Sequence, residues 1–509
     1  MLICHARSLS LCILVLTGTT TWAVAAPCQS LSALSLPHTT LVSVTAVAAG
    51  QLKLPADSIP PNAAIDVSTL PSFCRVTAAS RPSADSEIQL EVWLPAGTWN
   101  TQFQPVGNGL WGGSINYVGL AGMLRAGYAT ASNDTGHRGA GASFALGHPE
   151  KVTDFGYRAF HEMMLLANAS IDRFYERRPS LSFIDQCGGA GRGALAEIQR
   201  HPDAFDVIAA AGLDTETTHH SLGQLWVWQA AHQSPDSGIP ATKFPLLHRA
   251  ALDACDANDG IADGIISNPV ACKVDPGVLR CKAGDADDCL TDAQVETARQ
   301  IYSPVINPRT KDVLFGPLLP GGEMAWGQQT GPEPFPYGTD FMRYLVMKDA
   351  AWHPRARPVD FDRDAAAADA ARNRIVNVEP NLNTYLERGG KLLFVGGWGD
   401  GAIAPASNTN FYERVVRTAG PRAAGSVRLF MVPDMGHCPA AATAANGYIV
   451  DTAGIVDAWR RTGKAPDSIV VTRKVNGADE RKMLVCKYPQ SAVYKGSGDP
   501  NVPESFTCR

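Results

Sequence analysis

The sequence predicts an α/β protein whose parallel sheet is covered by helices on both faces. SLSFID (180–185), DVIAAAG (206–212) and KLLFVGG (391–397) are continuous apolar runs, which is typical of buried strands. Between such runs, FGYRAFHEMMLLANASIDRFY (155–175) spaces its apolar residues at helical intervals. Strands that alternate with helices in this way indicate a parallel sheet.

Earlier strand candidates precede these runs. Residues 85–96 (DSEIQLEVWLPA) alternate apolar and polar side chains, which predicts a half-buried strand. QFQPVGNG (102–109) runs from a strand into a glycine-rich turn, and GYATASNDT (127–135) is a strand that ends in a polar loop. QCGGAGRGALAEIQRHP (186–202) turns through glycines into a helix.

The first 25 residues are predicted to be an export signal. His5 and Arg7 precede the apolar run LSLCILVLTG, and AVAAP supplies the small residues of a cleavage site after Ala25. A buried N-terminal helix is the alternative. Because no later segment has about 18 consecutive apolar residues, we expect a secreted or periplasmic protein without a membrane span.

The cysteine content agrees with export. Beyond residue 25 the chain has an even number of cysteines, as expected for full pairing in an oxidising compartment. They have no CxxC spacing, which argues against zinc binding, and spacing alone leaves the pairing open. These cysteines are Cys28, Cys74, Cys187, Cys255, Cys272, Cys281, Cys289, Cys438, Cys486 and Cys508.

The alternation of strands and helices is interrupted over residues 214–387, which are richer in turns, acidic loops and tryptophans. We therefore predict a catalytic domain built from residues 26–213 and 388–509 and a lid domain inserted between them. The alternative is an ordinary connection within one domain. The net charge is −5 and no block of basic residues occurs, so nucleic acid is not an expected partner.

Two polar side chains follow late strands at catalytic positions. Asp400 follows KLLFVGGWG, and His437 follows VRLFMVPDMG. In α/β-hydrolases the acid and then the histidine follow the nucleophile along the chain, each after its own strand. His437 would be the general base and Asp400 would orient it. Taken alone, a histidine after a strand is more often a loop residue without a catalytic role.

The turn SFIDQCGGAGRG makes the comparison more specific. With Cys187 and the His437–Cys438 pair, it resembles the tannase/feruloyl esterase family, whose G-C-S-x-G-G elbow carries the serine nucleophile. VGNGLWGGSI (106–115), FMRYLVMKDAAW (341–352) and GSGDPNVPESFTC (496–508) also resemble family segments. The resemblance implies an α/β-hydrolase fold with a lid, and a small aromatic ester, of hydroxycinnamic or gallic acid, as substrate.

The resemblance also implies further site features. A disulfide between Cys187 and Cys438 would hold the elbow and the histidine loop at a fixed separation. Backbone amides of Gly189 and Gly109 would form the oxyanion hole, although Gly109 alone is simply a turn glycine. Proximity and resemblance together predict four other disulfides, namely Cys28–Cys74, Cys255–Cys272, Cys281–Cys289 and Cys486–Cys508.

The main departure from the family pattern is at the nucleophile. Gly188 occupies the serine position, Gln186 replaces a glycine and Ala190 replaces another. No serine or threonine occurs between Phe183 and Asp214, so a shifted register does not restore the elbow. Glycine forms no acyl-enzyme.

This departure leaves three interpretations. The chain is a weak or inactive member that still binds aromatic esters or acids, an enzyme disabled by one change, or one that uses another nucleophile. The other nucleophile would be Cys187, unless it is in a disulfide, or a water activated by His437. A non-catalytic binding protein predicts affinity without turnover, and a purely structural role predicts neither.

An acidic loop predicts a structural calcium site. ALDACDANDGIADGIISNPVAC (251–272) places four aspartates close together between glycines, and carboxylates and carbonyls suit calcium. The spacing is not that of an EF-hand. The resemblance gives as ligands Asp256, Asp259, Asp263 and the carbonyls of Ile261 and Ile265. The alternative is a solvated acidic loop.

Aromatic residues of the insertion are candidates for a substrate pocket, although lid core is the simpler interpretation for each. They are Trp226, Trp228, Trp326, Phe335 and Tyr337. His219 and His220 are candidates for a role at the same pocket.

Overall fold

The computed structural model describes residues 26–55, 65–372, 377–442 and 444–509, so the predicted export signal lies outside the described residues. Their strands, in chain order, are β1 (Thr39–Val47), β2 (Phe73–Ser80), β3 (Ile88–Pro95), β4 (Gln102–Phe103), β5 (Thr130–Asn133), β6 (Leu181–Cys187), β7 (Val207–Ala211), β8 (Val305–Ile306), β9 (Val313–Phe315), β10 (Lys391–Gly397), β11 (Val427–Val432), β12 (Gly447–Val450), β13 (Ser468–Val475), β14 (Ala478–Cys486), β15 (Ala492–Tyr494) and β16 (Phe506–Cys508).

The α-helices of the same residues are α1 (Tyr117–Arg125), α2 (Pro149–Thr153), α3 (Ala159–Tyr175), α4 (Gly189–Arg200), α5 (Thr217–Ala231), α6 (Phe244–Cys255), α7 (Asp292–Ile301), α8 (Gly327–Thr330), α9 (Pro336–Asp340), α10 (Arg363–Arg372), α11 (Asn383–Glu387), α12 (Ala406–Ala419), α13 (Ala423–Ser426) and α14 (Thr452–Thr462). None of them is long and apolar enough to cross a bilayer.

A mixed sheet forms the centre of the molecule. Its antiparallel part has the order β1-β2-β3-β5, and its parallel part has the order β11-β10-β7-β6-β4. The two parts are continuous, because Phe103 bridges to Ala129 in parallel and the amide of Val106 donates to Ala131 at 2.8 Å. The predicted α/β class with a parallel sheet is confirmed.

β7 and, after Lys391, β10 contain only apolar residues and glycine because both faces of these strands are covered. In β10, Leu392 and Phe394 belong to one hydrophobic core, whereas Leu393 and Val395 belong to the core on the opposite face. Adjacent side chains of a strand point to opposite faces, so a strand between two cores needs apolar residues at both. The catalytic loops follow the carboxyl ends of these strands.

The strand predicted to be half-buried is almost wholly buried. In β3 only Gln89 is partly exposed. Its polar face is covered as well, because Glu91 accepts hydrogen bonds from Arg75 Nε at 2.6 Å and from the hydroxyl of Tyr117 at 2.9 Å. The alternating pattern located the strand correctly. It gave the wrong environment because a buried ion pair satisfies the carboxylate.

Residues 214–387 connect β7 to β10 and carry α5 to α11 with the β8–β9 hairpin. Their apolar side chains supply most of a hydrophobic cluster that is separate from the two faces of the sheet. The division into a catalytic and a lid domain stays a prediction. Beyond β11, the strands β12, β13 and β14 form an antiparallel sheet that the sequence patterns did not indicate.

Candidate active site

The strand-to-helix turn at Gly188 has the backbone of a nucleophile elbow. β6 ends at Cys187, α4 begins at Gly189, and between them Gly188 has φ 60° and ψ −131°. This is the left-handed side of conformational space, where glycine carries no steric cost. The Gly188 amide donates to the carbonyl of Ala211 at 2.9 Å, which ties the turn to β7.

The base faces the position that a nucleophile would occupy. An ideal Cβ built on Gly188 would lie 3.3 Å from His437 Nε2. A serine side chain at this position would therefore point at the imidazole nitrogen that has to accept its proton. The predicted nucleophile position and the predicted base lie together, but the reacting oxygen is missing.

The structure places the carboxylate of Asp400 against His437. Asp400 Oδ2 lies 2.9 Å from His437 Nδ1, and this carboxylate is fully buried. Its other oxygen accepts the amides of Ala402 at 2.8 Å and Ile403 at 2.9 Å. Every contact of the carboxylate thus holds the imidazole with Nε2 directed toward Gly188.

The electrostatic environment favours the protonated imidazole. Burial alone would lower the pKa of His437 from its ordinary value of 6.5. The negative charge of Asp400 and the hydrogen bond to it outweigh burial, and the pKa is raised. Such a histidine is a stronger base than a free imidazole, which suits proton abstraction from a bound hydroxyl or water.

A disulfide joins the elbow to the base loop. Cys187 and Cys438, which directly adjoin Gly188 and His437, are bonded to each other with their Cα atoms 6.0 Å apart. The bond fixes the separation of the two loops across 251 residues of sequence. In this state neither sulfur is a thiolate, so Cys187 is not available as a nucleophile.

The glycine-rich loop 107–113 packs against the elbow. A Cβ on Gly107 would lie only 2.7 Å from the Cβ of Ala190, so the loop approaches as closely as it does only with glycine there. The amide of Gly107 donates to Gln186 Oε1 at 3.3 Å. Two of the residues that depart from the family pattern, Gln186 and Ala190, therefore contact this loop directly.

The predicted oxyanion glycines lie at this junction. An ideal Cβ on Gly189 would be 3.8 Å from the amide nitrogen of Leu110, the residue after Gly109. The carbonyl of Gly109 accepts the amide of Gly112 at 3.0 Å. Gly109 and Leu110 therefore lie on the loop that packs against the elbow, and the oxyanion role of the Gly189 and Gly109 amides stays a prediction.

A buried polar network lies beside the site, and sequence reasoning missed its central residue. Asp214 follows β7 and contacts His220 Nδ1 at 3.2 Å, and its other oxygen accepts the hydroxyl of Tyr337. Gln224 Nε2 donates to the carbonyl of Ala402 at 2.8 Å. Burial would raise the pKa of Asp214, but the hydrogen bond from His220 and its charge lower it. The network connects the insertion to the Asp400 loop.

The aromatic candidates divide by exposure. Trp228, Trp326 and Tyr337 are buried, and Trp326 and Tyr337 form part of the hydrophobic cluster of the insertion. Trp226 and Phe335 are only partly buried against the same cluster. His219 pairs with Asp369 at 2.8 Å instead of joining the network around His220.

The aspartates of the acidic loop accept hydrogen bonds from other residues of the same loop. Asp256 accepts the amides of Asp263 at 3.0 Å and Gly264 at 2.8 Å, and Asp259 accepts the hydroxyl of Ser267 at 2.6 Å. Asp263 Oδ1 is buried and has no hydrogen-bond partner among the described residues. Burial and the neighbouring carboxylates raise the pKa of Asp263. An oxygen-rich loop with an unpaired carboxylate oxygen fits a hard cation.

One contact competes with a cation at this loop. Arg481 Nη1 donates to Asp263 Oδ2 at 2.8 Å, so one of its two oxygens already faces a positive charge. The Cys255–Cys272 disulfide closes the loop. The remaining bridges are Cys28–Cys74, Cys281–Cys289 and Cys486–Cys508, the pairs that proximity and resemblance gave.

Comparison with known proteins agrees with this geometry. A family model described as tannase and feruloyl esterase matches residues 74–509. An uncharacterized esterase of Xanthomonas campestris pv. campestris is 34% identical over 96% of this chain and 92% of its own length.

Two solved structures from Aspergillus share the fold. The structure of feruloyl esterase B from Aspergillus oryzae aligns with a TM-score of 0.85 and 27% identity, covering 95% of this chain and 99% of that one. The tannin acyl hydrolase of Aspergillus niger aligns with a TM-score of 0.76 and 18% identity over 95% of this chain and 94% of that one, which shows the fold alone. The chain belongs to the tannase and feruloyl esterase family of α/β-hydrolase proteins.

Proposed function

We propose that this protein binds small aromatic esters of hydroxycinnamic or gallic acid and hydrolyses them weakly or not at all. The observation that carries the proposal is the missing side chain at Gly188, whose ideal Cβ position lies 3.3 Å from His437 Nε2. The base, its orienting carboxylate and the elbow backbone are all in place. Only the atom that would form the acyl-enzyme is missing.

The remaining groups support at most a slow reaction. A water between Gly188 and His437 would give its proton to Nε2 while its oxygen attacks the ester carbonyl. The ester C–O bond would then break, and Nε2 would return the proton to the leaving alcohol. Amides such as those of Gly189 and Gly109 would stabilise the oxyanion. Sites that lose a triad member keep only about 10³–10⁴-fold acceleration over water. The aromatic acyl group is proposed from the name of the Aspergillus feruloyl esterase, and from the family to which the chain belongs.

The test is to restore the nucleophile. We expect Gly188→Ser to raise kcat/KM on methyl ferulate or methyl gallate by at least about 10³-fold over the parent chain. Gly188→Ala is the matched control, because it adds the same Cβ at the same strained φ without an oxygen. If Gly188→Ser gains nothing while it folds and still binds ferulate, the elbow is not a catalytic position and the proposal is wrong.

The alternative function is non-catalytic binding of aromatic esters or acids, which the empty nucleophile position also favours. Two measurements on the parent chain separate the functions. Calorimetric titration with ferulate and gallate measures binding, and a hydrolysis assay on the methyl esters measures turnover. Binding with no turnover above the rate of the His437→Ala variant supports a carrier. Turnover that His437→Ala abolishes supports a water-mediated esterase.

We also propose export and a structural calcium ion. Five disulfides suit an oxidising compartment, in line with the predicted signal in residues 1–25. Asp256, Asp259 and Asp263 would hold calcium with the carbonyls of Ile261 and Ile265. Calcium at about 100 times its Kd should stabilise the chelated protein by about 2.7 kcal/mol, measured by thermal unfolding. Asp259→Asn should remove this effect, whereas Asp287→Asn, which changes an exposed aspartate outside the acidic loop, should keep it.

A further inference from the structure

The two helices that flank the elbow also bring together two histidines and a glutamate away from the catalytic groups. His161 is on α3, Glu197 is on α4, and His201 directly follows α4. One ring nitrogen of each histidine and one carboxylate oxygen lie within 4.8 Å of one another. Because α4 has twelve residues, His201 is about 18 Å from the elbow along the helix axis.

The glutamate of this cluster is only half satisfied. Glu197 is 2% exposed, and its Oε1 lies 3.0 Å from His161 Nδ1. Its Oε2 is buried and has no hydrogen-bond partner among the described residues. A buried carboxylate oxygen without a donor is costly, which indicates a positively charged ligand in addition to the histidine.

The nearest arginine on α4 is engaged elsewhere. Arg200 Nη1 donates to the carbonyl of Ala196 at 3.0 Å, and its guanidinium stacks over Tyr157 at 3.9 Å from the ring centre. The two imidazoles stack on each other with centres 3.8 Å apart, and both histidines are partly exposed. Solvent therefore reaches the two imidazoles, and Glu197 lies buried beneath them.

We propose that His161, Glu197 and His201 bind one divalent transition-metal ion, zinc being the ion we would test. Two imidazoles and one carboxylate are a common zinc ligand set, with water in the fourth position. The side chains would draw closer by rotation about their own bonds, because zinc ligands lie about 2.0–2.2 Å from the ion. The ion would link α3, which packs on β3 and β5, to α4, which packs on β6 and β7.

The experiment uses the tag-free full-length mature chain, first freed of metal with a chelator and then kept in excess calcium to fill any carboxylate site. Zinc is titrated by calorimetry, and zinc-dependent thermal unfolding is recorded in parallel. We expect one zinc per chain and a higher Tm on zinc addition. His161→Gln and His201→Asn should each weaken zinc binding by at least about 100-fold, because loss of an outer-shell partner alone costs 10–100-fold.

The matched control is His148→Gln, which removes an exposed histidine that pairs with Asp85 at 3.0 Å and that belongs to no three-ligand group among the described residues. It should leave zinc affinity unchanged. Each variant is first compared with the parent in the absence of zinc, so a folding defect is recognised separately. If the parent binds no zinc, or if binding survives in both histidine variants, the cluster is an ordinary histidine–glutamate ion pair and the proposal is wrong.

Discussion

The two halves of the candidate active site are held in place by different means. The base half depends on side chains, since His437 is oriented by Asp400 and Asp400 by the amides of Ala402 and Ile403. The nucleophile half depends on the backbone, since Gly188 has a positive φ and its amide donates a hydrogen bond to the carbonyl of Ala211. Loss of the serine oxygen therefore removes the reacting atom and leaves the shape of the site.

This difference explains how the geometry of the site is retained although the nucleophile is absent. A glycine adopts the elbow conformation at least as readily as a serine, so nothing at Gly188 pushes the fold away from it. The base half has no such tolerance, because each of its contacts is made by a particular functional group. Changes in the base half should therefore have large effects, but only once an oxygen is present at Gly188.

The largest expected effect is loss of the base in the restored enzyme. In a Gly188→Ser background, His437→Ala should abolish the gained activity, a fall of at least about 10³-fold in kcat/KM. His353→Ala is the control, because His353 is an exposed histidine that pairs with Glu333 at 3.0 Å. If activity survives His437→Ala, the comparison is wrong, since His437 would then not be the base for the residue at position 188.

The sequence located those candidate site residues that directly follow a strand. Asp400 and His437 were found because each comes after a continuous apolar run, and the structure brings them together at 2.9 Å. The five disulfide pairs also agree with the predicted ones. Four of them join cysteines at most 46 residues apart, which proximity and the family resemblance indicated, and the fifth joins the elbow to the histidine loop, which the resemblance indicated.

Contacts between distant segments could not be deduced from local patterns. Asp214 and Tyr337 are 123 residues apart, and neither shows a periodic or spacing signal for their hydrogen bond. Gln186 was recognised only as a departure, whereas the structure places it against Gly107. The His161–Glu197–His201 cluster was missed for the same reason, since its members lie on two helices.

The second effect concerns the disulfide that joins the two halves. Replacing both Cys187 and Cys438 by alanine should lower the free energy of unfolding by about 5.5 kcal/mol, because the bond closes a loop of 251 residues. The same double replacement at Cys281 and Cys289, which are 8 residues apart, should cost only about 2–3 kcal/mol. Denaturant unfolding of the three chains measures the difference. Equal losses would mean that the clamp acts through local packing instead of chain entropy.

The smallest effect concerns the pKa of His437 in the parent chain, measured without substrate. Because the pKa of His437 is raised above 6.5, chiefly by Asp400 against the opposing effect of burial, Asp400→Asn should lower it. Asp214→Asn should lower it less, since Asp214 contributes less than Asp400. Titration of the imidazole signals by NMR gives the pKa in each chain.

The same shift has a consequence for stability whose sign follows from linkage. A histidine with a raised folded pKa binds its proton more tightly in the folded state, so its contribution is fully present below pH 6.5. This contribution is lost as the pH rises through the folded pKa, so the parent should lose stability over that window relative to Asp400→Asn. If the unfolding free energies of the two chains change in parallel with pH over this window, Asp400 orients His437 without raising its pKa. The base half would then act through geometry alone, as the elbow does.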